Sequence, residues 1–90
     1  MFYVYILLSQ KDKQFYIGFT NDLKNRYKKH CDGFVRATKF RRPLILIYYE
    51  AYLRETDAKR REKFLKGGNG RSQLKIQLQS ILEDLKYKHR

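Results

Sequence analysis

Ninety residues allow one small domain over 1–90 and leave little room for a second core. Twenty-one Lys and Arg against nine Asp and Glu give a net charge of +12, a field that draws polyanions, of which nucleic acid is the commonest; the plain alternative is a basic surface that serves only solubility. The lone cysteine, Cys31, excludes an internal disulfide and a cysteine-based zinc site, and the longest apolar run, Met1 to Leu8, falls well short of the ~18–20 residues of a membrane span.

That run also lacks the basic start and cleavage site of a secretory signal, so the expected location is cytoplasmic. No lysine-rich amphipathic stretch carries Trp or Leu on its other side, which speaks against a membrane surface as partner.

The chain opens with Tyr3-Val4-Tyr5-Ile6-Leu7-Leu8, a polar break from Ser9 to Gln14, then Phe15-Tyr16-Ile17-Gly18-Phe19-Thr20. Two short β-branched and aromatic runs so joined predict a β-hairpin. Alternation puts Tyr3, Tyr5 and Leu7 on one face of the first strand, and Tyr16, Gly18 and Thr20 on one face of the second. Tyrosines on such a face need partners for their phenols, and Gly18 removes a side chain beside them. Thr20-Asn21-Asp22 then offers a helix cap, followed by Leu23, Tyr27 and Cys31 as the expected buried stripe, with Arg26 and His30 on the stripe beside it. Asp32-Gly33 ends that helix.

Phe34 to Pro43 reads as a loop in which Arg36, Lys39, Arg41 and Arg42 alternate with Phe34 and Phe40. Cations for phosphates and rings for bases suit a nucleic-acid edge; equally, the two rings could anchor a solvated loop to the core. Leu44 to Glu50 is a nearly continuous apolar run, expected as a strand covered on both faces and placed centrally or under a helix. A second helix opens near Thr56, and its inward stripe is Ala58, Glu62 and Leu65. A carboxylate on an apolar face needs a cation or a hydrogen-bond network, whether an ordinary salt bridge or a functional site. Gly67 to Gly70 reads as a flexible turn and Ser72 as the cap of a last helix, with Leu74, Leu78, Ile81, Leu82 and Leu85 as core stripe and Lys86 to Arg90 as a frayed basic tail.

Tyr3-Val4-Tyr5 with Tyr16-Ile17-Gly18 resembles the paired signature of the GIY-YIG endonuclease family. The second triplet matches letter for letter; in the first, Tyr3 and Val4 stand where the family name has glycine and isoleucine, as is common in its small stand-alone members. The resemblance extends over roughly Tyr3 to Lys75. It implies an α+β fold of order β-β-α-β-α-α, with a small three-stranded, mostly antiparallel sheet flanked by helices. It also implies a phosphate-contacting arginine at Arg26, a histidine assisting proton transfer at His30, a single metal-binding glutamate at Glu62, a general base at Tyr5 and a water-positioning neighbour at Tyr16. Asn69 is the only candidate for an asparagine that family members carry beyond the glutamate, and it falls on the glycine-rich turn.

Phosphodiester hydrolysis adds negative charge at the phosphoryl and leaving oxygens, which a Mg²⁺ or Mn²⁺ ion on one carboxylate and an arginine fork can offset. A phenol of pKa ~10 can deprotonate water only where its surroundings lower that value. The expected activity is therefore metal-dependent hydrolysis of DNA, with structure-specific or repair-related cutting within its range. A protein partner supplying specificity is compatible with the short chain. A non-catalytic nucleic-acid-binding module on the same scaffold accounts for the charge equally well, but gives Glu62 no task.

Overall fold

The structure is a computed structural model that describes residues 1–85; the tail expected over 86–90 lies outside them. The hairpin forms as expected, with β1 (Phe2–Ser9) antiparallel to β2 (Phe15–Thr20) and Tyr5 facing Gly18 across the pair. Ser9 organises the turn between them. Its Oγ accepts the amides of Lys11 and Asp12 at 3.1 Å and donates to the Arg41 carbonyl at 2.6 Å.

Helix α1 (Leu23–Cys31) is capped by Asp22, whose Oδ1 accepts the Asn25 amide at 3.2 Å. A short 3₁₀ turn at Lys39–Arg41 precedes β3 (Leu44–Tyr52), and then follow α2 (Glu55–Lys66), α3 (Gly68–Gln77) and α4 (Gln79–Asp84). The sheet order is β2-β1-β3 with both pairings antiparallel, so β1 is the central strand and β3 lies at an edge. This corrects the expectation of a central strand covered on both faces for the run from Leu44, though Ile47, Tyr48 and Tyr52 do pack on the core that α2–α4 cover. Its side chains past Leu44 are only half-buried or exposed, whereas β1 is buried from Val4 to Ser9.

The two faces of the sheet are covered differently. Val4, Ile6, Leu8, Phe15 and Ile17 pack against Ala58, Leu65, Leu74 and Leu82 from α2–α4, with Leu78, Ile81 and Leu85 at the margin. Burying each such aliphatic side chain is worth about 1.5–3 kcal/mol. On the other face Tyr5, Leu7 and Leu44 form a smaller cluster under Leu23 and Tyr27 of α1.

Three further expectations are corrected. Cys31 is exposed and His30 is the fully buried member of α1, because the helix leans its Arg26–His30 stripe over β1 and β2. Gly67 to Gly70 is no flexible turn: Gly67 caps α3 and Gly68 begins it, so Asn69 stands in a helix and Ser72 within it. Gly70 serves close packing, since a Cβ there would run into the backbone of Phe64 and Leu65 in α2. Finally, the last apolar stripe is carried by two helices that break at Leu78.

An ion pair ties α2 to the sheet. Glu50 on β3 accepts Arg61 Nε at 3.0 Å and the phenols of Tyr48 and Tyr52 at 2.6 Å each. Burial pushes the Glu50 carboxyl up, but Arg61 and the two phenols outweigh it and hold it below the usual range. Arg61 immediately precedes Glu62, so the pair fixes the rotation of the helix that carries that carboxylate.

Candidate active site

Three elements converge on the Tyr5 phenol. Tyr5 comes from the central strand, Tyr16 and Gly18 from β2, and Arg26 and His30, four residues apart, from one stripe of α1. The phenol needs the space over Gly18: a Cβ there would run into the hydroxyl end of the Tyr5 ring. Tyr5 Oη lies 2.8 Å from His30 Nε2, and Arg26 Nε donates to the same oxygen at 3.4 Å. The Tyr16 ring stands 5.1 Å from the imidazole and 6.3 Å from the Tyr5 ring.

Burial drives both titrating groups to their neutral forms. It pushes the Tyr5 phenol up to about 12, opposed by the Arg26 hydrogen bond and reinforced by the Tyr16 and Glu62 charges. It holds His30 down at about 4, with the Arg26 cation adding to the effect. The condition stated for a tyrosine base, a lowered pKa, is therefore not met by these residues alone. Around neutral pH the pair is a protonated phenol beside a neutral imidazole.

Glu62 lies near enough for its charge to be felt at Tyr5. As its place on the Ala58–Leu65 stripe requires, its side chain is largely covered, at 21% exposure, and its Oε2 pairs with Lys66 Nζ at 3.0 Å. Among the described residues no three His, Cys, Asp or Glu side chains gather into a closed metal cage. One reachable carboxylate that already holds an exchangeable cation suits a hard ion such as Mg²⁺ or Mn²⁺, which keeps most of its waters.

Sequence reasoning did not single out Thr38. It is fully buried within the basic loop, and its Oγ1 lies 2.7 Å from His30 Nδ1. A threonine among loop cations carries no pattern that marks it; only the fold brings it under the imidazole.

The four loop cations divide. Arg36 and Lys39 are exposed, the latter over the Phe40 ring at 4.9 Å. Arg41 is spent on the hairpin turn, with Nε 2.6 Å from Asp12 Oδ2 and further bonds to the Gln14 and Phe15 carbonyls. Arg42 donates to the Lys39 carbonyl at 2.9 Å and lies over Gly33. Phe34 and Phe40 are 78% and 75% exposed, so they do not anchor the loop; Val35 and Thr38 do that. A separate groove of about 530 Å³ lies between Tyr3, Tyr49, Leu46 and the start of α1.

The chain is 40% identical over 67 residues to the UPF0213 protein CPE1444 of Clostridium perfringens, covering 73% of this chain and 71% of that one. It is 36% identical over 75 residues to the UPF0213 protein SH2523 of Staphylococcus haemolyticus, covering 82% and 90%. The solution NMR structure of the UPF0213 protein BH0048 from Bacillus halodurans superimposes with a TM-score of 0.52 at 36% identity, over 82% of each chain. The sequence model of the GIY-YIG catalytic domain matches residues 1–75, an unbroken span that takes in both strands of the hairpin, α1 and α2. The chain thus belongs to the GIY-YIG family.

Proposed function

We propose that the protein is a metal-dependent endonuclease that hydrolyses phosphodiester bonds in DNA. Membership of a catalytic-domain family of nucleases supports the reaction class, and the charge of +12 supports a polyanionic substrate. The observation that carries the reading is the buried Tyr5 phenol, held between the imidazole of His30 and the guanidinium of Arg26. A strand tyrosine kept only for packing has no use for both.

In this reading the attacking water gives its proton to Tyr5 Oη as the phenol proton passes to His30 Nε2, so no free phenolate is required. Tyr16 borders the water's position. Arg26 donates to the phosphoryl oxygens, and the bound phosphate offsets the cation that otherwise disfavours a protonated His30. Glu62 would hold the divalent ion, which when bound supplies charge neutralisation at the phosphate and acidifies a coordinated water. Arg36 and Lys39 reach toward flanking phosphates, with Arg41 and Arg42 shaping the loop that presents them.

The test is cleavage of plasmid, single-stranded, forked and branched DNA with and without Mg²⁺ or Mn²⁺. Glu62→Ala and Arg26→Ala should each reduce cutting by about 10²–10³-fold or more, the cost of removing a preorganised charge at a transition state. Both side chains sit at the margin of the core, so circular dichroism and melting should stay near wild type. Cutting by both variants at the wild-type rate would remove the site. Salt-sensitive binding without cutting, indifferent to Mg²⁺, would favour the non-catalytic binding module instead.

A further inference from the structure

The mechanism above uses Tyr5, His30 and Arg26 but leaves the far nitrogen of the imidazole unassigned. Both ring nitrogens of His30 face hydroxyls inside the protein: Nε2 faces Tyr5 Oη at 2.8 Å and Nδ1 faces Thr38 Oγ1 at 2.7 Å, with all three residues fully buried. A neutral imidazole carries one proton, so one of these contacts runs toward the ring and the other away from it.

Two arrangements meet that condition. In one, Tyr5 donates to Nε2 and Nδ1–H donates to Thr38. In the other, Thr38 donates to Nδ1 and Nε2–H donates to Tyr5. Arg26 Nε, which can only donate, already points at Tyr5 Oη. The second arrangement would load the phenol oxygen with two donors and leave its proton without the imidazole as acceptor. A phenol is the stronger acid of the two hydroxyls, and an aliphatic hydroxyl is the better acceptor. Both preferences select the first arrangement.

We infer that Thr38 is a positioning residue that holds His30 in the Nδ1–H tautomer, keeping Nε2 bare and aimed at the Tyr5 proton. The role in cleavage rests on the nuclease reading; the tautomer does not. The Thr38 backbone is secured independently, its amide donating to the Val35 carbonyl at 3.1 Å and its carbonyl accepting the Arg41 amide at 2.9 Å. Removing the hydroxyl therefore need not move the loop.

The experiment is a long-range proton–nitrogen correlation spectrum of ¹⁵N-labelled protein near neutral pH. The chain has two histidines, and His89→Gln removes the other one from the spectrum. Wild type should show the proton on Nδ1 of His30. Thr38→Val, nearly isosteric and without a hydroxyl, should move it to Nε2, because a buried N–H with no acceptor is costlier than a bare nitrogen. Thr38→Ser should restore the wild-type pattern. An Nε2–H tautomer in wild type, or an unchanged tautomer in a folded Thr38→Val, would overturn the inference; should Thr38→Val not fold, the wild-type spectrum decides. In the cleavage assay Thr38→Val should lower kcat about tenfold or more with KM unchanged, part of the 10²–10⁴ available to proton transfer, and Thr38→Ser should recover most of it. A tautomer that switches without any change in kcat would end the positioning role. Should wild type cut nothing, the nuclease reading fails while the spectrum still decides who holds the His30 proton.

Discussion

Tyr5 and Ile6 are neighbours on the central strand, both with no exposed surface, and they serve opposite sides of the sheet. Ile6 belongs to the apolar cluster packed against α2–α4, whereas Tyr5 meets an imidazole, a guanidinium and the edge of a second phenol. Burial is equal and its content is not. On one face it supplies cohesion, roughly in proportion to apolar area. On the other it removes water from polar groups, which raises the phenol, lowers the imidazole and makes each hydrogen bond count for more. A period-two strand lets one segment do both at once.

The sharpest separation should come from Ile6→Ala against Tyr5→Phe. Ile6→Ala is expected to cost about 2–5 kcal/mol in urea unfolding, as truncations in packed cores do. Tyr5→Phe should leave stability within about 1–3 kcal/mol, the range for a lost buried partner, while cutting falls by about 10²-fold or more. If both cost the same stability and Tyr5→Phe still cuts, the second face is simply another core.

Acid should probe the polar face selectively. His30 ordinarily titrates near 6.5, and in the folded chain it is held down at about 4. Between those values the unfolded chain binds a proton that the native one refuses, so native stability is intact above about 6.5 and declines as pH falls toward 4. The decline should amount to about 3 kcal/mol in unfolding free energy from urea titrations, at 1.36 kcal/mol per unit. A His30 resonance titrating near 6.5 by NMR would contradict the closed imidazole.

Gly18→Ala strikes the same face by volume. Its Cβ must displace the Tyr5 ring, so about 1–3 kcal/mol of stability and most of the activity should go together, as overpacking predicts. The smallest effects belong to the loop. Arg36→Ala with Lys39→Ala should lower the slope of log affinity against log salt by about 1–2 without changing the melting temperature. Arg41→Ala should instead lower the melting temperature, because its guanidinium closes the hairpin turn through Asp12.

The hairpin, the order of the helices and the shared stripe of Arg26 and His30 were legible because each depends on short-range periodicity, whereas grouping them with Tyr5 and Tyr16 was implied by the family resemblance alone. Glu62 was legible for a different reason: a carboxylate at i+4 from Ala58 breaks an apolar stripe. Three matters were not. The edge position of β3 depends on which strand pairs with which, and composition does not record pairing. His30 rather than Cys31 turns inward because of how α1 leans on the sheet, a rotation of one position that a four-residue repeat cannot resolve. Gly70 looked like flexibility in the sequence and proved to be proximity, since a missing side chain reads the same in both cases until the neighbouring helix is in view.

Eight positions separate His30 from Thr38, and within them lies Arg36, with Lys39 next beyond. The connection that carries the exposed cations therefore also sets the reach of a buried hydroxyl. A residue inserted there to suit a different substrate would slide the hydroxyl away from the imidazole. Variation in this stretch should accordingly run through the identity of its outward side chains and not through its length. A randomised library selected for cutting ought to return many sequences of one size.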